Sequence, residues 1–189
     1  MTTAHEIIFA GFGGQGVLSM GQILSYAAMI EGKEVSWMPS YGPEMRGGTA
    51  NCIVIISGKR ISSPIVTTFD SAIILNQPSL DKFLPSIKPG GLLLYERSTI
   101  INPPKRSDIE VISVPAMEQA QKLTSKQVAN VLLLGTFLER RPIVSPDSIV
   151  KALEKVLPAH RKHLLPINEQ ALVKGKEYAV EKEPAVGAH

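Results

Sequence analysis

Three glycines near the start of the chain, Gly11, Gly13 and Gly16, have the G-x-G-x-x-G spacing of a phosphate-binding turn. They follow an apolar run, residues 6–10, that predicts a buried strand, and they precede a pattern typical of an amphipathic helix. Glycine lets the backbone turn tightly, while the first N–H groups of the helix offer donors and the positive end of the helix dipole. The spacing therefore indicates a turn that can receive a phosphate.

The acid that usually accompanies a dinucleotide-binding turn is missing from this sequence. It would close the second strand about twenty residues further on and bind a ribose hydroxyl. Here the predicted second strand, 35–38, is followed by Pro39 and Ser40, with Glu34 at its start and Glu44 in the next loop. Three interpretations stay open: NAD or FAD binding, close packing of helix on strand, and a phosphate-bearing ligand held mainly by another chain.

A second unusual segment, residues 40–48, contains three glycines, a proline, an acid and an arginine, with no helix or strand pattern. We expect the strand before it to neighbour the first strand, which would place this loop beside the glycine turn. Arg46 suits a bidentate contact with a phosphate or a carboxylate. Pairing with Glu44, or capping of a backbone carbonyl, is an equally good interpretation of Arg46.

The composition excludes several classes of protein. The chain has 189 residues, 44% hydrophobic and 20% charged, which predicts a globular protein. Its one cysteine, Cys52, cannot supply an iron–sulfur cluster or a Cys₄ zinc site. Scarce aromatics and scattered basic residues argue against nucleic-acid binding. Without a signal peptide or a membrane-spanning run in the sequence, we expect a cytoplasmic protein without membrane contact.

Strands alternate with helices in the first part of the chain, and helices dominate the rest. The predicted strands are 6–10, 35–38, 49–57, a short one near 61, 71–76, 92–95 and 110–114. Predicted helices are one from 17 that Gly32 stops, 80–87, one from a capping box at 124–127 to about 139, 146–157 and 164–180. This order predicts an α/β fold: a Rossmann-like three-layer αβα sandwich with a mostly parallel sheet and a helical C-terminal part. We expect a single domain over residues 1–189, with a core of about 5–180 and a frayed C-terminal tail.

Together, the two glycine-rich segments resemble the gamma subunit of the 2-oxoacid:ferredoxin oxidoreductases. The resemblance rests on Gly11-Phe-Gly-Gly-Gln-Gly-Val17 and Tyr41-Gly-Pro-Glu-Met-Arg-Gly-Gly48. Thr49-Ala-Asn-Cys52 and Asn130-Val-Leu-Leu-Leu-Gly135 also look like that family, so the likeness covers roughly residues 5–180. The second segment looks most like chains assigned to 2-oxoglutarate, with pyruvate and branched-chain members as near neighbours.

The resemblance implies a subunit of an enzyme that oxidatively decarboxylates 2-oxoglutarate to succinyl-CoA and sends electrons to ferredoxin. Alpha and beta subunits would hold thiamine diphosphate and magnesium, and beta or a small delta subunit would hold the iron–sulfur clusters. This chain would bind no cofactor or metal alone and supply no catalytic residue. It would pack against the thiamine-binding subunits near the coenzyme A cleft.

The residues that match the family's two loops are the candidate site. They are Gly11, Gly13, Gly14, Gln15 and Gly16 in the first loop and Arg46, Gly47 and Gly48 in the second. Both loops are expected to face the cleft between alpha and beta subunits, where Arg46 would order a coenzyme A phosphate or the cleft wall.

Three further residues keep two interpretations each. Asn51 and Asn130 either donate hydrogen bonds at the cleft or serve turns and helix packing. Cys52 is either a small buried residue or a reactive thiol. Two functions of other classes also stay open for the whole chain: a stand-alone dinucleotide-binding reductase and a nucleotide-sensing module.

Overall fold

A computed structural model describes residues 4–40, 49–123 and 128–179 of the chain. The strands are β1 (His5–Phe12), β2 (Glu34–Ser40), β3 (Thr49–Ser57), β4 (Phe69–Ile74), β5 (Ile87–Glu96) and β6 (Glu110–Val114). The helices are α1 (Val17–Ile30), α2 (Gln77–Phe83), α3 (Ala116–Lys122), α4 (Ala129–Arg140), α5 (Pro146–Val156) and α6 (Leu165–Tyr178). Short 3₁₀ helices cover Leu84–Ser86, Arg97–Thr99 and Ala159–Leu164.

The six strands form one sheet in the order β2-β3-β1-β4-β5-β6. Strands β1, β4, β5 and β6 run parallel to their neighbours in that half of the sheet. Strand β3 runs antiparallel to both β1 and β2. The predicted α/β fold with a mostly parallel sheet is therefore confirmed, and its antiparallel part is the β2–β3 edge.

The sheet separates two apolar clusters, because neighbouring residues of a strand point to opposite faces. Ile7 and Phe9 of β1 pack with side chains from α1, α3, α4, α5 and α6. Ile8 and Ala10 pack on the other face with Leu80 of α2. This arrangement confirms three layers and a helical C-terminal part, with most of the helical mass on one face.

Local signals set several of the observed boundaries. Ser145 caps α5 as predicted, since its Oγ accepts a hydrogen bond from the Ser148 N–H at 3.2 Å. Asn76 does the same for α2, where its Oδ1 accepts from the Ser79 N–H at 2.8 Å. Gly32 follows α1 with a φ of +73°, a conformation that stops a helix and favours glycine.

Two strand predictions were wrong. No strand forms near residue 61, where the serines and Pro64 of 62–64 favour a bend. Pro39 was expected to end the second strand, yet β2 continues to Ser40 and Pro39 lies opposite Cys52. A proline is tolerated there because β2 is an edge strand of the sheet, which forms backbone hydrogen bonds to a neighbouring strand on one side only.

The helix predictions differ from the structure in smaller ways. Helix α2 begins earlier than predicted because Asn76 caps it, and it ends in a 3₁₀ turn before residue 87. Helix α3 was not predicted. The capping box at 124–127 and the tail from 180 lie outside the described residues, and the single domain over 1–189 stays a prediction. None of the helices in the described ranges combines the length and apolar character needed to cross a membrane.

Helices α4 and α6 meet through two glycines. A Cβ added at Gly135 would overlap the backbone carbonyl oxygen of Leu172, and one added at Gly175 would overlap that of Leu132. Thr136 of α4 donates from Oγ1 to the carbonyl oxygen of Gly175 at 2.7 Å. The two backbones are in direct contact, so this crossing has no room for a side chain.

We predict that Gly135→Ala lowers the free energy of unfolding by about 2–3 kcal/mol, because the helices must separate to admit a methyl group. The control is Val173→Ala on α6, where the side chain is 62% exposed; we expect a change within about 0.5 kcal/mol. Urea denaturation followed by circular dichroism measures both variants. Equal stabilities of the two would contradict the close helix contact.

Candidate functional site

The glycine turn lies where the parallel strands reach their carboxyl ends. It joins β1 to α1, and β4 runs beside β1 on the side away from β3. Helix α1 packs on one face of the sheet, whereas α2, which follows β4, packs on the other. Such a switch of direction opens a crevice outside the ends of two neighbouring strands, the usual ligand position in open α/β sheets.

Gln15 fixes the shape of the turn from inside it. Its Oε1 accepts a hydrogen bond from the Phe12 N–H at 2.6 Å, and its Nε2 donates to the carbonyl oxygen of Leu75 at 3.2 Å. Thr99, after β5, donates from Oγ1 to the same carbonyl at 2.8 Å. Both ends of the Gln15 amide are thus used within the chain, so Gln15 positions the turn and leaves ligand contact to the backbone.

The predicted glycines have different roles. A Cβ at Gly11 would lie 2.7 Å from Gln15 Oε1 and 2.9 Å from the Leu75 side chain, so Gly11 permits close packing. Gly16 has a φ of +77°, and a Cβ there would lie 2.8 Å from Asn130 Nδ2. Gly14 has a φ of +91° with no described atom within 4 Å of an added Cβ. Gly13 is exposed. The open side of the turn is therefore formed by Gly13 and Gly14.

Helix α1 begins without a side-chain cap. The N–H groups of Gly14, Gly16 and Val17 have no acceptor among the described residues, whereas the Gln15 N–H donates to the Phe12 carbonyl oxygen at 3.2 Å. Unpaired donors at the positive end of a helix dipole suit an anion. The structure thus supplies the donors that the G-x-G-x-x-G spacing predicts.

The second predicted loop begins and ends at the same edge of the sheet. β3 lies between β1 and β2, so the expectation that β2 neighbours β1 was wrong. Strand β3 nevertheless brings Thr49, which follows the loop, opposite Phe12 of β1, and Ser40, which precedes it, lies opposite Asn51. Arg46, Gly47 and Gly48 lie outside the described residues, and their role stays a prediction.

The two asparagines lie on different elements. Asn51 is half-buried in β3, opposite Ala10 of β1. Asn130 is in the first turn of α4, buried against Gly16. Only Asn130 adjoins the glycine turn, so the structure does not bring the pair together.

Cys52 is buried in this fold. Its side chain has 0% exposure, and its thiol donates to the carbonyl oxygen of Val17 at 3.6 Å. Burial raises the pKa of the thiol to about 12, although contacts with Trp37 and Gly21 oppose the shift. The thiolate that reactivity requires is therefore absent near neutral pH, which favours the structural interpretation.

Sequence reasoning missed two buried polar residues at the carboxyl ends of the parallel strands. Glu96 ends β5 with 0% exposure, and its carboxylate accepts from the Ser98 N–H at 2.8 Å and the Met117 N–H at 3.2 Å. Asn76, after β4, has a buried Nδ2 without a hydrogen-bond partner among the described residues. The available signal was a polar residue directly after a buried parallel strand.

The described residues contain no group of three or more His, Cys, Asp or Glu side chains placed to hold a metal ion. Glu34 lies at the opposite end of β2 from the turn, since it pairs with Ser57. It cannot serve as the ribose-binding acid of a dinucleotide site, which weakens the stand-alone reductase interpretation.

Comparisons with known proteins point to one family. The family model described as "Pyruvate ferredoxin/flavodoxin oxidoreductase" matches residues 6–178. The ketoisovalerate oxidoreductase subunit VorA of Methanothermobacter thermautotrophicus is 41% identical over 93% of this chain. The 2-oxoglutarate synthase subunit KorC of Methanocaldococcus jannaschii is 35% identical over 93% of this chain and 94% of its own length.

A solved structure has the same fold. The gamma subunit of a keto/oxoacid ferredoxin oxidoreductase from Geobacter sulfurreducens superposes with a TM-score of 0.82 at 30% identity, over 94% of this chain and 97% of that one. This chain spans only 36% of the length of VorA. The same unit therefore occurs among its relatives both as nearly a whole chain and as part of a longer one.

We predict that Gln15→Met loosens the turn, because the Phe12 N–H and the Leu75 carbonyl both lose their side-chain partner. Hydrogen–deuterium exchange over residues 11–16 should accelerate, and the free energy of unfolding should fall by about 1 kcal/mol. The control is Gln121→Met on the exposed surface of α3, which should leave both unchanged. Unchanged exchange in the Gln15 variant would show that the amide does not hold the turn.

Proposed function

This chain belongs to the pyruvate ferredoxin/flavodoxin oxidoreductase family, and from that premise we propose that it serves as the gamma subunit of an enzyme that oxidatively decarboxylates a branched-chain 2-oxoacid. The observation that supports this substrate is the higher identity to the ketoisovalerate relative than to the 2-oxoglutarate relative. This proposed substrate differs from the one expected from the sequence, because the segment 41–48 resembles chains assigned to 2-oxoglutarate.

A 2-oxoglutarate enzyme is the second candidate. The KorC relative matches this chain along nearly its full length, whereas VorA is a much longer chain. The subunit role is common to both candidates, and pyruvate remains a third substrate of the same class.

The redox chemistry belongs to partner subunits in this proposal. An iron–sulfur cluster needs about four thiolates, and this chain has one cysteine, which is buried with a raised pKa. The residues of this chain therefore do not fit a cluster. Alpha and beta subunits, with a delta subunit where one exists, would hold thiamine diphosphate, magnesium and the clusters, and ferredoxin would meet the assembled complex in the cytoplasm.

The contribution of this chain is the surface around the glycine turn. The N–H groups of Gly14, Gly16 and Val17, which have no acceptor in the described part of the chain, would bind a phosphate of coenzyme A at the cleft between the partner subunits. Gln15 would hold those donors in place from behind. Arg46, Gly47 and Gly48 would approach the same ligand from the second loop.

Apolar side chains beside the turn provide a contact surface for the partners. Phe12 at the start of the turn is 39% exposed, and Trp37 and Met38 of the edge strand are 38% and 37% exposed. Phe12 and Met38 lie on the same face of the sheet, whereas Trp37 lies on the other face, near Gly21 of α1. Exposed apolar side chains beside a functional site are typical of protein interfaces. We assign Phe12 and Met38 to packing against the alpha and beta subunits.

The substrate is tested with the chain co-expressed and purified with its partner subunits. Initial rates of viologen reduction with ketoisovalerate, 2-oxoglutarate and pyruvate give kcat/KM for each. We expect ketoisovalerate to exceed both others by at least about tenfold, because an apolar pocket rejects a second carboxylate and binds a shorter chain weakly. A preference for 2-oxoglutarate would overturn the proposed substrate and leave the proposed subunit role intact. Recovery of the chain without any partner would overturn the subunit role.

The coenzyme A contact is tested with two glycines of equal backbone character. Gly14 and Gly32 have φ values of +91° and +73°, and both are open to an added Cβ. Each change to alanine should cost about 1–2 kcal/mol of stability. Only Gly14→Ala should also raise the KM for coenzyme A, by about tenfold, because it shifts N–H groups that bind a charged phosphate. An equal KM in the two variants of the assembled enzyme would contradict the contact.

A further inference from the structure

A cavity of about 220 Å³ lies behind the glycine turn, on the face of the sheet that carries most helices. Its walls come from α1, the start of α4, the end of α5, the 3₁₀ segment 159–164 and α6. Asn130 lines it and also lies against Gly16, so the cavity adjoins the turn through one side chain. Because a cavity of roughly 150 Å³ accommodates benzene, this one has room for roughly six to nine non-hydrogen atoms.

Two buried amides on the wall have unused hydrogen-bonding atoms. Asn130 is 9% exposed, and its Oδ1 accepts from the Val131 N–H at 2.9 Å. Its Nδ2 has no acceptor among the described residues. Asn168 is 4% exposed and donates from Nδ2 to the Leu164 carbonyl oxygen at 2.8 Å, which leaves its Oδ1 without a donor there. An acceptor placed beside Asn130 would give this amide donor a partner within the described part of the chain.

Arg161 provides the charge at the rim. Its guanidinium makes no ion pair or hydrogen bond with the described part of the chain. The described residues that line the cavity include no Asp or Glu. A guanidinium has five donors in a planar fork that matches a carboxylate. The cavity is therefore complementary to an anion.

Ser19 and Gln22 of α1 also line the cavity, and the remaining lining residues are apolar. Ile23 of α1, Val131 of α4, and Leu153, Val156 and Leu157 at the end of α5 line it. Such side chains suit a hydrocarbon body and leave a polar head for the Asn130 amide on the wall and for Arg161 at the rim. A free phosphate would leave this apolar part unfilled.

We propose that this cavity binds a short aliphatic carboxylate, with its head group on Arg161 and Asn130 and its chain against the apolar end of α5. The site needs neither partner subunits nor coenzyme A, so it stands apart from the proposed function. Because Asn130 also lies against Gly16, a ligand in the cavity changes the surroundings of the glycine turn.

The full chain, labelled with ¹⁵N, is titrated with hexanoate, and amide resonances are followed by NMR. We expect saturable binding with a dissociation constant below about 1 mM, with shifts of the Asn130 side-chain amide and the Gly16 N–H. Hexanamide, which has the same chain without the charge, should bind at least tenfold more weakly. Absence of saturation, equal binding of hexanamide, or shifts confined to other regions would overturn the proposal.

Two neighbouring cations give the matched variants. Arg161→Gln and Lys162→Gln remove the same charge from adjacent exposed positions, and only Arg161 lines the cavity. Arg161→Gln should weaken hexanoate binding at least tenfold, whereas Lys162→Gln should change it less than twofold. Equal effects would reduce the binding to general charge attraction and overturn the site. Unchanged amide spectra elsewhere in both variants establish that the fold is intact.

Discussion

The backbone carbonyl of Leu75 connects the parts of the site. It accepts hydrogen bonds from Gln15 in the turn after β1 and from Thr99 after β5. The N–H of the same residue donates to the Ala10 carbonyl oxygen at 2.8 Å. Three strand ends are thus joined at Leu75, the residue that follows β4. The N–H groups of the glycine turn that have no acceptor among the described residues depend on that connection for their position.

Much of the fold follows from local sequence signals. Strands β3 and β6 and helix α5 were predictable because each has a continuous apolar run or a capping residue within its own segment. Their arrangement was not: β3 enters between β1 and β2, and pairing between distant segments is not encoded in a short window of sequence. Pro39 shows the same limit, since its tolerance within β2 depends on that strand lying at the edge.

The site was predictable to a similar extent. The spacing of Gly11, Gly13 and Gly16 is sufficient to predict the turn and its free donors. The inward position of the Gln15 amide depends on Leu75, sixty residues away, and the contact between Gly16 and Asn130 spans a greater distance along the chain. The first contact forms only when β4 pairs with β1, and the second only when α4 is placed beside α1. The comparisons with relatives show the family that the two glycine-rich segments resemble. The second loop and Arg46 remain known from sequence alone.

Strand β2 pairs on one side with β3, and Pro39 lies near its end. An open strand edge attracts further strands, and proteins that accumulate before their partners are exposed to that hazard. Proline has no N–H to offer an incoming strand, so a continuous ladder of hydrogen bonds cannot extend past this point. Near Pro39, the edge of the described sheet is thereby protected against the addition of a further strand in a continuous ladder.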